Sequence, residues 1–189
     1  MATATLGWAT TIRPPDFSAL VGRADQVVAA TVVGSESREV QRGDSVIIET
    51  YVTFAVDDLI SGAALDGNAP LILRHLGGRV GDTVMEVDGM PRFAKGERLV
   101  LFVEGGGRTV CPLVGWGHGK YEVFAGADGV QRIRRADGTP LRALEQVDDP
   151  LRKHGAGPTV TTIGGDGAMT MATFKNAITA ERERLKRVQ

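Results

Sequence analysis

Asp57, His75, Glu97 and His118 are the residues of this chain whose types suit proton chemistry, since an imidazole held against a carboxylate exchanges protons near neutral pH. Each also has a plainer place: Asp57 at a bend, His75 at a strand end, Glu97 at a turn and His118 in a glycine loop. Asp57 and Asp58 are adjacent in sequence, so their side chains point apart as solvated turn residues do, instead of converging on a proton or a metal. The sequence therefore predicts no catalytic constellation, and the chain is read as not an enzyme. Phosphate chemistry fares no better. Gly105-Gly106-Gly107 leads from one expected strand into another, whereas a phosphate cradle needs a helix N-terminus or a nest. In Gly115-Trp116-Gly117-His118-Gly119-Lys120 the Walker pattern fails, because Val114 and Tyr121 stand where it requires Gly and Ser or Thr. Cys111 is the sole cysteine, which excludes an intramolecular disulfide and a Cys-based metal site. With three scattered histidines besides, ligand spacing is missing, and neither metal nor cofactor is expected.

The residues that suit recognition are Trp116, His118 and Tyr121, close together in a loop where Gly115, Gly117 and Gly119 leave the backbone free to expose them. They are the candidate ligand-contact patch. The competing reading folds Trp116 back as a plug in the end of a barrel. Arg42-Gly43-Asp44 spells an adhesion tripeptide, but in a charged, glycine-bearing loop it reads as turn chemistry.

Composition bounds the partners. Apolar residues at 42% and charged residues at 24% describe a globular chain, and 189 residues suit one sizeable domain with tails. Twenty-two basic against 23 acidic residues, spread along the chain, make no field that would attract nucleic acid. No apolar run approaches the roughly 18 residues of a membrane-spanning helix. Glycine, at 25 residues with no repeat period, points to many tight turns and hence to a β-rich fold.

The elements that must position these residues follow from periodicity. The apolar run Leu99 to Val103, after the turn residues Met90-Pro91 and Lys95-Gly96, predicts a central strand covered on both faces. Val27 to Val33 predicts a similar strand. Ser35 to Asp44 is polar and reads as an exposed hairpin loop, and Ser45 to Asp57 as a long strand with Val46, Ile48, Thr50, Val52, Phe54 and Val56 facing inward. Further strands are expected over Leu71 to Leu76, Gly81 to Val87, Arg108 to Val114, Lys120 to Ala125 and Val130 to Arg135. Asp16 predicts the cap of a short helix bearing Phe17, Leu20 and Val21, and Thr170 the cap of a C-terminal helix with Met171, Phe174, Ile178 and Leu185 in one stripe. The expected division is an extended arm over 1–15, a β-barrel domain over 16–138, a polar and Gly-rich linker over 139–168 and a helix over 169–189.

Tyr51-Val52-Thr53-Phe54-x-Val56, Gly77-Gly78, Gly89-Met90-Pro91-Arg92-Phe93, Gly96-Glu97-Arg98-x-Val100-Leu101-Phe102 and the Phe174-x-x-x-Ile178 helix together form a recognisable pattern. Over about residues 16–135 the chain resembles uncharacterised bacterial exported proteins, sometimes fused to or encoded near metallopeptidases, whose fold is similar to the OB-type barrel of netrin-like and tissue-inhibitor-of-metalloproteinase domains. The resemblance implies a mainly β, OB-like (netrin-like) barrel with a short N-terminal helix and a C-terminal amphipathic helix. It also implies an extracytoplasmic (secreted or periplasmic) place, in keeping with a start that lacks a signal peptide but carries the small-residue stretch Ala2-Thr3-Ala4. The animal inhibitors chelate the protease zinc through an N-terminal cysteine. Here the chain begins Met1-Ala2-Thr3 and its one thiol is Cys111, so that mechanism does not carry over. The expected function is a non-catalytic binding module with a protein partner, a peptidase or an envelope protein. The alternative is a structural or assembly subunit that uses an edge strand and the C-terminal helix, and the oligomeric state stays open.

Overall fold

Two apolar clusters on opposite sides of one sheet organise the protein, whose computed structural model describes residues 13–63, 69–107, 109–151 and 167–188. The helix α1 (Phe17–Arg23) is followed by β1 (Gln26–Arg42), β2 (Ser45–Gly62), β3 (Leu71–Leu76), β4 (Gly78–Val80), β5 (Thr83–Met85), β6 (Arg98–Val103), β7 (Lys120–Ala125), β8 (Gln131–Arg135) and α2 (Met171–Lys186). The main sheet has six antiparallel strands in the order β3-β2-β1-β6-β7-β8, and β4 and β5 form a separate hairpin. The molecule is thus mainly β with a large antiparallel sheet and two helices, and β3 and β8 end the sheet.

β6 is central, as its unbroken apolar run requires. Val100 and Phe102 join the cluster with Leu20, Tyr121, Ile133, Phe174 and Ile178, while Leu99, Leu101 and Val103 join the one with Val32, Val52, Phe54 and Leu73. The first cluster is closed by α1 and α2. Asp16 Oδ1 accepts from Ala19 N at 2.7 Å and Thr170 Oγ1 from Thr173 N at 3.1 Å, so both expected caps satisfy helix-end donors. The second cluster is closed by Met90, Phe93 and Trp116.

The structure corrects several strand bounds. Residues 35–42 are not a loop: β1 runs on to Arg42, and the hairpin turns only at Gly43-Asp44, with Gly43 at φ 59°. Polar residues extend the strand because its β2 edge stays paired residue by residue to Arg42↔Ser45, even where the pairing with β6 has ended at Thr31. β2 likewise continues past Asp57 to Gly62, because bulges at Asp57 and Ile60 let the strand bend without ending, and Val33 is the matching extra residue on β1. Gly81 to Val87 is not one strand. Gly77 and Gly78, at φ 90° and 142°, admit the tight β4–β5 hairpin, and a Cβ on Gly78 would lie 2.2 Å from Thr50 Oγ1. Arg108 lies outside the described residues. Residues 109–114 are irregular and meet the sheet at β6 through a bridge between Val103 and Leu113 and at β3 through a bond from Leu76 N to the Val110 carbonyl (3.1 Å).

The stretch expected to be a linker is bound to the sheet over its first part. Leu141 N donates to Ile133 O (3.1 Å), Met169 N to Leu141 O (2.6 Å) and Ile133 N to Met169 O (3.0 Å), which blunts the β8 edge. Leu141 and Val147 are its two apolar anchors, and both are fully buried. Most of the arm, residues 1–12, and most of the linker, residues 152–166, lie outside the described residues.

Candidate functional site

The corner carrying Trp116, His118 and Tyr121 does not present the three side chains on one surface. Tyr121 is the second residue of β7 and points into the first cluster, its ring 5.7 Å from Phe102 and 5.0 Å from Phe174. Burial pushes its phenol far above the usual range. Trp116 is half-buried against the second cluster, on the other side of the sheet, and His118 is only 9% exposed. The corner is strained. Gly115 (φ 61°) and Trp116 (φ 59°) are consecutive left-handed residues, and Trp116 is the one non-glycine residue of positive φ among the described residues. We predict that Trp116→Gly is more stable than Trp116→Ala by about 1 kcal/mol, the reverse of the usual order, because glycine relieves the left-handed strain while both lose the ring. Paired urea melts check this, and a more stable alanine variant contradicts it.

Three of the four candidate proton-transfer residues each engage a different partner. Asp57 accepts from the Thr31 hydroxyl at 3.0 Å, and Glu97 accepts from Lys120 Nζ at 3.1 Å and from Ala94 N at 3.0 Å. His75 Nδ1 lies 3.2 Å from the Leu76 carbonyl, with its ring beside Phe93, and His118 Nδ1 is buried with no hydrogen-bond partner. Burial pulls both imidazoles below their usual range. Asp58 has its own partner in Lys175, apart from that of Asp57. Among the described residues no group of three or more His, Cys, Asp or Glu is placed to hold a metal. Cys111 is buried and its thiol is pushed up to about 12, so it is a core residue and not a nucleophile.

A different surface gathers recognition chemistry. Helices cover the first face of the sheet over β6, β7, β8 and the ends of β1 and β2, but the register continues that face outward in open rows on β1, β2 and β3: Gly34, Thr53 and Ile72; Glu36, Tyr51 and Arg74; Arg38, Glu49 and Leu76. Val33 and Ile72 are exposed there, and a Cβ placed on Gly34 would meet nothing within 4 Å. Arg38 stacks 5.2 Å over the Tyr51 ring. Glu49 accepts from Arg42 (2.8 Å), Tyr51 OH (2.9 Å) and Arg74 (3.0 Å). The Arg42 guanidinium holds this carboxyl below its usual range, and the same carboxylate raises the Tyr51 phenol.

The exposures decide the sign of this face. The Glu49 side chain is 6% exposed while that of Arg42 is 56% exposed, so this carboxylate lies underneath the arginines, and the one carboxylate standing among them is Glu36, 65% exposed and paired with Arg38 at 2.8 Å. The Arg42-Gly43-Asp44 tripeptide does occupy a hairpin tip, yet its arginine is folded back onto Glu49 and is not presented beside Asp44. The sequence carried one signal for this face, the outward half of the β2 alternation. Arg38 was hidden because its segment reads as loop. No helix of the described residues is long and apolar enough to cross a membrane. No family model, no curated protein and no solved structure matches the chain.

Proposed function

We propose that the protein is a non-catalytic, extracytoplasmic binding module that takes an acidic protein segment on the open face of β1, β2 and β3. The observation that carries the reading is the layered charge of that face, with Arg38, Arg42 and Arg74 over a Glu49 carboxylate that is itself turned under and against a single exposed carboxylate, Glu36. Arginine and tyrosine are the residue types enriched where proteins bind each other, and a partner's carboxylates would find planar, partly desolvated donors there. Ile72, Val33 and Thr53 add apolar and small contact area in the neighbouring row.

The OB-type, netrin-like kinship is part of the same proposal. The β1-β2-β3 meander, with β1 also paired to β6 and β6 to β7, supports an OB-type barrel left open beyond β3. In such barrels the face of the second and third strands is the ligand surface. The extracytoplasmic placement and a peptidase or envelope protein as partner rest on the resemblance to exported proteins. The assembly alternative is weaker on one count: the apolar stripe of α2 is spent inside its own chain, with Phe174 and Ile178 fully buried.

A random-peptide display selection tests the proposal without a known partner. Wild-type protein should enrich Asp- and Glu-rich sequences, and the Arg38→Glu/Arg74→Glu double variant, if it melts like the wild type, should not. Selection without acidic enrichment, or enrichment unchanged in the variant, rejects the reading.

A further inference from the structure

β1 outruns its neighbour on the β6 side. It is 17 residues long while β6 has 6, and the ladder between them ends at Thr31 and Arg98. The turn before β6 adds one more step, since Val32 N donates to the Glu97 carbonyl and the Val32 carbonyl accepts from Gly96 N, both at 2.9 Å. There the chain leaves the lane. Glu97 N closes a turn on the Ala94 carbonyl (3.1 Å), and Phe93 and Met90 pack on the second cluster, on the other face of the sheet. Beyond Val33, β1 has β2 on one side and, among the described residues, no strand on the other.

The register decides which backbone groups face the open side, because residues of an antiparallel ladder turn their N–H and C=O alternately to one neighbour and to the other. Gly77 N donates to the Ile48 carbonyl (2.7 Å), so Ile48 turns toward β3 and its partner Glu39 turns away from β2. The same alternation turns Ser35, Ser37 and Gln41 outward. Among the described residues none of these four has a hydrogen-bond partner for its backbone N–H or C=O, and Ser35, Glu39 and Gln41 are exposed. Such a row of donors and acceptors is a template for one more strand.

Charge selects the strand that fits. Laid beside β1 at the usual spacing of about 4.8 Å, it would place alternate side chains on the first face, next to Glu36 and Arg38. Arg38 spends Nε and Nη2 on Glu36 (2.8 Å each), which leaves Nη1 for a newcomer. Arg98, exposed at the start of β6, heads the same lane on the same face and donates to Gln131 (3.1 Å). Arg38, Arg42, Arg74 and Arg98 thus stand against two carboxylates, Glu36 and Glu49, so acidic side chains are favoured on this side. On the other face the newcomer would meet Ser35, Ser37 and Glu39, which suits small neutral side chains.

We propose that the acidic segment binds as an added strand: it occupies the lane beyond β6, pairs its backbone with Ser35, Ser37 and Glu39, and sets its carboxylates on the first face against Arg38 and Arg98. The added strand rests on the reading of the open face as the site of an acidic partner, and makes the backbone of β1 a contact alongside its side chains.

Amide hydrogen exchange on the intact chain tests the alternation. In the free protein the amides of Ser35, Ser37 and Glu39 should exchange faster than those of Glu36, Arg38 and Val40, which face β2. At saturation with an acidic peptide from the display selection, Ser35, Ser37 and Glu39 should slow about tenfold or more. The same peptide is also made in two forms, N-methylated at alternate residues in one phase or in the other. The charge is unchanged, yet one form should bind about tenfold or more weakly, because its donors to β1 are gone, while the other binds as before. An acidic peptide that binds but leaves Ser35, Ser37 and Glu39 exchanging as in the free protein, or that tolerates methylation in both phases, overturns the added strand and leaves the acidic face standing. A selection without acidic enrichment removes both.

Discussion

Phe174→Ala lowers the stability of the protein by about 3 to 5 kcal/mol, the range for truncating a fully buried aromatic ring. The ring of Phe174 is the point at which α2, α1 and the sheet meet. It lies 5.0 Å from Tyr121, 6.1 Å from Phe102 and 6.2 Å from Phe17, each in a tilted or edge-on arrangement that adds to simple burial. Ile178, one turn further along, is equally buried but stays in place, so the variant loses a ring and keeps a loosened helix. The charged contacts of α2, Arg182 with the Ala24 carbonyl (2.7 Å) and Arg184 with Ser18 (3.0 Å), contribute less because they are partly solvated. Urea unfolding followed by circular dichroism measures the loss. A change under about 1 kcal/mol would mean that α2 is not docked, since exposed substitutions rarely exceed half of that.

Lys120→Ala is the second large effect, at about 3 kcal/mol, the lower end for removing one partner of a buried ion pair. The Lys120 side chain is 5% exposed, and its Nζ donates to the Arg92 carbonyl (2.6 Å) and to Glu97 (3.1 Å), with Glu122 at 3.6 Å. It also lies 5.2 Å over the Phe93 ring, which itself packs edge-on against Phe54 at 5.4 Å. The lower end applies because Glu97 is 28% exposed and Glu122 keeps Arg134 at 2.6 Å, so neither carboxylate is left dry and alone. The tether to Arg92 is what fixes the segment before β6 over the second cluster. Lys120→Ala should therefore also speed tryptic cleavage after Arg92 in the folded protein, whereas Lys120→Met, which keeps the apolar stem, should lose less stability. Equal stability of the alanine variant and the wild type contradicts this account of the loop.

Where burial marks a segment, the sequence was legible. β3 and β7 fall on their expected residues, β6 and β8 within one residue, and both helices begin at their capping residues, because apolar alternation and side-chain capping are local signals. Where a strand is held by backbone pairing alone, nothing marked it. Residues 34–42 carry mostly Ser, Glu, Arg and Gln, so no apolar alternation marks them, although their partners across the Gly43-Asp44 turn start only three residues away, at Arg42↔Ser45. Lys120 and Tyr121 show the same limit within one element. Alternation puts Lys120 and Glu122 on one face, which looks like a solvated one, yet Glu97 and the Arg92 carbonyl arrive from elsewhere to bury the lysine. The glycine-flanked aromatics suggested exposure, but glycine freedom serves the close packing of that corner: Gly119 has Val114 O 2.7 Å from where its Cβ would be, and Gly115 has Pro15 Cδ at 2.8 Å. The open face was half legible, since Tyr51 and Thr53 fall on the outward side of the β2 alternation, while Arg38 and Arg74 join them only through register.

Backbone amide shifts recorded while an acidic peptide from the display selection is titrated into the labelled protein test the central claim most directly. Binding on the open face predicts that the largest changes cluster at residues 34–38, 49–53 and 72–74 and weaken as salt is raised. Changes centred on residues 115–121, with the rows on β1, β2 and β3 unmoved, would contradict it.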